Sequence, residues 1–136
     1  MNRIQDKIDQ LEAFLGELES IAPNTFEEYN SNIEKKAACE RYAEKIVEAA
    51  IDLAFFMIKS RRLRIPESDT DAFNILAESK LIDDALAANL KKAKGMRNII
   101  AHEYGEIDNK VVFEAINNKL KIDVEKLIRI AKASKK

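Results

Sequence analysis

Apolar residues recur along this chain at intervals of three and four and almost never at two, which is the signature of helices laid on a common core. The first stripe, Ile4, Ile8, Leu11, Leu15 and Leu18, predicts a helix from about Ile4 to Ser20 that Pro23 closes. A second, much longer stripe of Ala43, Ile46, Val47, Ala50, Leu53, Ala54, Met57 and Ile58 predicts a helix over roughly 30–63, stopped by Pro66. Phe73, Leu76 and Ala77 mark a short third helix, with Asp69 or Thr70 as its cap. Asp83 is placed to cap a fourth helix that Gly105 ends, and Asp108 to cap a fifth carrying Val112, Ala115, Leu120, Val124, Leu127 and Ile128. With short connections throughout, the pattern predicts an all-α, antiparallel bundle of about five helices in a single domain over 1–136.

Composition narrows this picture in a few places. Three glycines and two prolines in 136 residues leave little room for β-turns. The 23 basic and 24 acidic residues nearly cancel, so any attraction for an anion has to be local. One cysteine, Cys39, excludes an internal disulfide and suits a reducing compartment, where it reads as a buried, inert thiol. The most apolar run, residues 49–58, is interrupted by Asp52 and is shorter than the ~20 residues needed to cross a bilayer. The charged start of the chain lacks a signal-peptide core. A cytoplasmic location is expected.

On the second helix Phe55 and Phe56 turn away from the apolar stripe, beside a polar edge of Glu44, Glu48 and Asp52. They are either an interface or the margin of a wide core. The three acids either hold a cationic site or face a partner.

The fourth helix carries the chemistry, in the stretch KGMRNIIAHEYG at 94–105. On a helical wheel Leu86, Leu90, Ala93 and Ile100 share one side, and Arg97 falls within that stripe. A guanidinium there needs either a carboxylate from the bundle or a cleft that receives an anion. Lys91, Lys94, Asn98 and His102 form a separate basic ridge with Gly95 at its edge, where close approach of another backbone or a ligand would offset the helical cost of glycine. His102, the only histidine, lies ~140° around the axis from Arg97. Both reach one point if the arginine curls round, if the last turn unwinds, or if two copies of the helix meet.

An arginine and a histidine suffice to cleave RNA without a metal. The imidazole, with a pKa near ~6.5, exchanges protons with the 2′-hydroxyl, and the forked guanidinium holds the phosphate. One histidine without clustered cysteines or paired acids makes a poor metal site, and no glycine-rich phosphate loop or nucleophile elbow occurs. No metal or cofactor is expected.

The motif RNIIAHEY, followed by Gly105 and an Ile–Asp pair, resembles the signature of the HEPN superfamily, and specifically the HepT-like toxins. The likeness extends through the long second helix, RRLRIPESDTDAFNIL and LIDDALAANLKKAKGMRN to HEYGEIDNKVVFEAI. Met96 departs from the aromatic or bulky residue often found before the arginine. The resemblance implies a bundle that dimerises through its motif-bearing face and a metal-independent endoribonuclease acting as the toxin of a toxin–antitoxin pair. It also implies Arg97 and His102 as the catalytic pair and Asn98 as their support; on that reading Lys91 and Lys94 of the basic ridge are candidate RNA contacts. Tyr104 would be the residue that an MntA-type nucleotidyltransferase antitoxin modifies with AMP. Two other readings are a non-catalytic HEPN module that partners a nucleotidyltransferase, and a structural bundle in which Arg97 is merely ion-paired and His102 caps a helix.

Overall fold

The computed structural model describes residues 2–102 and 108–134, with the side chain of His102 excepted. Every regular element among them is helical: α1 (Arg3–Ile21), α2 (Phe26–Ser31), α3 (Ile33–Ser60), α4 (Asp69–Glu78), α5 (Asp84–His102), α6 (Asn109–Glu114) and α7 (Leu120–Ser134). A π-helical turn, Ala115–Lys119, joins the last two.

Cross-helix contacts give the directions. Lys7 reaches Asp52 and Tyr42 reaches Glu17, so α1 and α3 run antiparallel. Glu19 meets Lys121 while Glu12 meets Lys132, which sets α7 antiparallel to α1. α3 lies centrally, packed by α1, α2, α4, α5 and α7. The sequence stripes all face this core: Ile8, Leu11, Ala43, Ile46, Leu53, Ala54 and Leu127 are wholly removed from solvent.

Several boundaries differ from the pattern-based expectation, each for a local reason. The long second helix begins at Ile33 and not near 30, because Asn32 breaks the chain and caps α3 by accepting from the Lys35 amide. Before it lies α2, which hydrophobic periodicity misses. Its signal is a capping pattern, since Thr25 accepts from the Glu28 amide. α3 also ends before Pro66 acts. Arg62 takes a left-handed φ of 56°, and the Leu63 amide returns to the Ile58 carbonyl, which is a Schellman closure. Ser68, rather than Asp69 or Thr70, caps α4. Asp83 and Asp108 cap α5 and α6 as expected.

Phe55 and Phe56 are neither fully exposed nor fully core. Both are half-buried against the core, with the Arg3 guanidinium 5.9 Å from the Phe56 ring centroid. Cys39 is buried and free, and burial raises its thiol pKa. No described helix is long and apolar enough to cross a membrane.

Candidate active site

Arg97 enters the bundle from the apolar side of α5, between buried Leu90 and Ile100. Its burial there requires a counter-charge, and α3 supplies one. Nη2 donates to Glu48 Oε1 at 2.7 Å. Nη1 donates to Asn98 Oδ1 at 3.0 Å, so the neighbouring residue of the motif braces the same guanidinium. The third nitrogen, Nε, is buried and has no acceptor among the described residues. A buried donor left unmade costs about 1–3 kcal/mol, more when charged.

The guanidinium forms one wall of an open cleft of about 550 Å³, lined also by Glu48, Ile51, Asp52, Phe55 and Asp69. The arginine's side chain is 22 % exposed and that of Glu48 44 %, so a ligand in the cleft can reach both. The carboxylate of Asp52 is shared with Lys7 at 3.3 Å. Of the two alternatives for a cation in the apolar stripe, the structure shows the carboxylate: Arg97 is paired with Glu48, and the cleft it also lines carries the acids Glu48, Asp52 and Asp69.

Of the other motif residues, Asn98 is half-buried through its contact with Arg97. His102 is the last residue of α5. Its side chain lies outside the described residues, as do Tyr104 and Gly105. Lys91 is half-buried and donates from Nζ to Asn74 Oδ1 on α4 at 2.8 Å, which turns it from a freely solvated ridge residue into a strut between helices. Lys94 is half-buried as well. The expected close neighbour of Gly95 is absent among the described residues, because a Cβ built there would meet nothing within 4 Å. Among the described residues no three His, Cys, Asp or Glu side chains gather as metal ligands would.

Sequence reasoning named Glu48 among three acids without choosing between them. Wheel geometry places all three on one edge of α3; only the packing angle of α5 across α3 decides which one meets Arg97. Asn30 was not foreseen. Its Oδ1 accepts from Asn109 Nδ2 at 3.2 Å and so ties α2 to the first turn of α6, immediately after the motif segment.

Comparison with known proteins agrees with this architecture. The family model for ribonuclease HepT-like proteins matches residues 4–133. The mRNA nuclease HepT of Shewanella oneidensis is 38% identical over 90 residues, covering 66% of this chain and 67% of its own. The tRNA nuclease HepT of Aphanizomenon flos-aquae is 26% identical over 114 residues, covering 84% of this chain and 78% of its own. Among solved structures, a tri-AMPylated HEPN toxin from Shewanella oneidensis in complex with MNT antitoxin superposes with a TM-score of 0.90 at 29% identity. That match covers 98% of this chain and 99% of the other. A toxin–antitoxin structure with AMP-PNP superposes with a TM-score of 0.87 at 27% identity, over 96% of this chain and 99% of the other.

Proposed function

Since the chain belongs to the ribonuclease HepT-like family, we propose that it is the toxin of a toxin–antitoxin pair, cutting RNA without a metal ion at a cleft formed by two copies. The observation that carries the reading is the Arg97 guanidinium, held on two sides by Glu48 and Asn98 inside an apolar stripe while its side chain stays 22 % exposed beside an open cleft. Such a group is oriented in advance for an oxyanion, which is where electrostatic catalysis gains most.

In the proposed reaction His102 accepts the proton of a ribose 2′-hydroxyl. The 2′-oxygen attacks the adjacent phosphorus, the P–O5′ bond breaks, and an imidazolium returns a proton to the departing 5′-oxygen. Arg97 neutralises the charge on the non-bridging oxygens, and Asn98 keeps the guanidinium in plane. The products are a 2′,3′-cyclic phosphate and a 5′-hydroxyl. Lys94 and Lys91 would contact flanking phosphates, Lys91 after release from Asn74. Open space over Gly95 and the 43 % exposure of Ile99 support a second copy docking on this face of α5.

Tyr104, two residues beyond the histidine, is the proposed AMP acceptor for an MntA-type nucleotidyltransferase antitoxin. Added phosphate there would bring negative charge against the RNA path. A solved relative that is AMPylated and bound to MNT antitoxin supports AMP transfer as the modification, and the position of Tyr104 in the motif is what points to this residue.

The test is intact-protein mass spectrometry of the chain purified with and without a nucleotidyltransferase encoded beside it, followed by metal-free RNA cleavage by each sample. We expect AMP increments on Tyr104 in the first sample together with lost cleavage. Unmodified protein should cut, leaving cyclic-phosphate ends, and should lose cleavage in Arg97→Ala and His102→Ala while remaining folded. Unmodified wild-type protein that binds the nucleotidyltransferase but cuts no RNA would instead make the chain a non-catalytic binding module.

A further inference from the structure

Among the described residues, Glu48 is the only acid within ion-pair distance of Arg97. It touches that group through one oxygen, and this one-point contact decides what the arginine can still offer. A bidentate carboxylate would occupy a whole edge of the fork. Here Glu48 takes one N–H of Nη2 and Asn98 takes one of Nη1. Among the described residues the second hydrogen of each Nη has no partner and remains for a ligand, while Nε–H is buried away from the cleft. Two fixed points on two different nitrogens also define the plane and the rotation of the guanidinium.

The backbone carrying Glu48 is well anchored. Val47, Ala49, Ala50 and Ile51 are all buried, so the middle of α3 is locked in the core while the Glu48 carboxylate stands at the cleft wall. Its neighbours Asp52 and Asp69 line the same cleft without reaching Arg97. If the role of Glu48 were only to neutralise a buried cation, a paired, closed contact with no donor left unmatched would serve better.

We propose that Glu48 is a positioning residue for RNA cleavage: its single hydrogen bond, with that of Asn98, aims the free Nη hydrogens of Arg97 at the scissile phosphate. The inference rests on the ribonuclease reading above. It assigns Glu48 no proton transfer and no contact with RNA.

The experiment measures kcat and KM for metal-free cleavage of one oligoribonucleotide by wild-type protein, Glu48→Ala, Glu48→Gln, Glu48→Asp and Arg97→Ala, with a thermal melt of each. Misaiming a reacting group by about 1 Å can cost about 100-fold, so Glu48→Ala should lower kcat by about 10–100-fold with KM changed by less than about 3-fold. Glutamine keeps an acceptor at the same reach and cannot take a proton. Glu48→Gln should therefore recover kcat to within about 5-fold of wild type, which also separates aiming from general-base catalysis. Aspartate, one methylene shorter, should behave like alanine.

Three results overturn the proposal while leaving the ribonuclease reading intact. Faster cleavage by Glu48→Ala would show a carboxylate that competes with phosphate. Unchanged kcat would show a bystander. Loss of activity tracking loss of melting temperature, without rescue by Glu48→Gln, would show a fold-supporting ion pair. Wild-type protein no more active than Arg97→Ala would refute the ribonuclease reading itself and the positioning role with it.

Discussion

Gly95 and Gly16 both sit inside long helices, exposed, with nothing within 4 Å of where a Cβ would stand. Within a helix interior, glycine is about 0.8–1.0 kcal/mol less favourable than alanine, because its backbone loses more freedom on folding. Among the described residues nothing gives either position a steric reason to require glycine. Gly16→Ala should therefore stabilise the protein by about 1 kcal/mol, which for a domain of this size is about 3–5 °C in melting temperature. Gly95→Ala should give the same gain at dilutions where the chain is monomeric. At higher concentration the two should diverge, because Gly95 lies on the α5 face where a second copy is proposed to dock, with exposed Ile99 beside it. The alanine methyl would then intrude on the interface, raising the dimer dissociation constant and reducing the apparent gain. Denaturant melts across a concentration series, with sedimentation on the same samples, read both quantities. Failure of Gly16→Ala to stabilise at any concentration would refute the propensity argument. Equal gains at both sites with unchanged dimerisation would remove this face of α5 from the interface.

Arg62 and Lys80 present the converse case, with left-handed φ values of 56° and 64° at helix ends that would suit glycine. Arg62→Gly and Lys80→Gly should each stabilise by about 0.5–1 kcal/mol in the same melts, and a loss at either would reveal a contact made by the side chain. Arg64 bridges Asp71 and Glu78 through four hydrogen bonds and holds both carboxyls below their ordinary range. Depressed folded pKa values mean that this stabilisation is present above the ordinary carboxylate range of ~4 and is lost as pH falls through the folded values. The destabilisation caused by Arg64→Ala should be constant from pH 7 to about 5 and shrink below ~4; an effect independent of pH would show that packing, not charge, is the cause. The Tyr29 hydroxyl is buried without a hydrogen-bond partner among the described residues, and desolvation drives its pKa well up. Tyr29→Phe should be neutral or stabilise by up to about 1 kcal/mol. A loss above that would place a bonding partner on the hydroxyl.

What the sequence shows well here is whatever depends on one helix at a time. The α1 stripe from Ile4 to Leu18 is the buried set found in the structure, and every member of the α3 stripe from Ala43 to Ile58 is buried too, joined by Cys39, Ala49 and Ile51. Caps are equally local, and Asp83 and Asp108 are placed correctly for that reason. The errors arise where two local signals compete. Pro66 is a strong stop signal, yet the helix has already closed at Arg62, because Leu63 gains burial by folding back toward Ile58. α2 is only six residues long, too short to show periodicity, and its Tyr29 is buried by packing against Phe26 and Phe113. Lys91 reads as a solvated lysine until α4 brings Asn74 to it.

Arg97 is the position where the one-helix and many-helix arguments have to be joined. A wheel places it in the apolar stripe and says only that it needs a counter-charge. The fold answers with Glu48, but a half-exposed carboxylate touching one nitrogen is weak compensation for removing a guanidinium from water. Had selection acted on stability alone, an aliphatic side chain at this point in the stripe would do better. The arrangement keeps a charged donor, fixes its plane from two sides, leaves Nε unmatched among the described residues and opens a cleft beside the guanidinium. The desolvated charge and the unmatched Nε are unfavourable for folding, whereas a guanidinium fixed in plane and still 22 % exposed can offer its outward Nη hydrogens to a phosphate. Arg97→Met should therefore melt no lower than wild type while losing RNA cleavage, which would separate the contribution of this side chain to the site from its contribution to the fold.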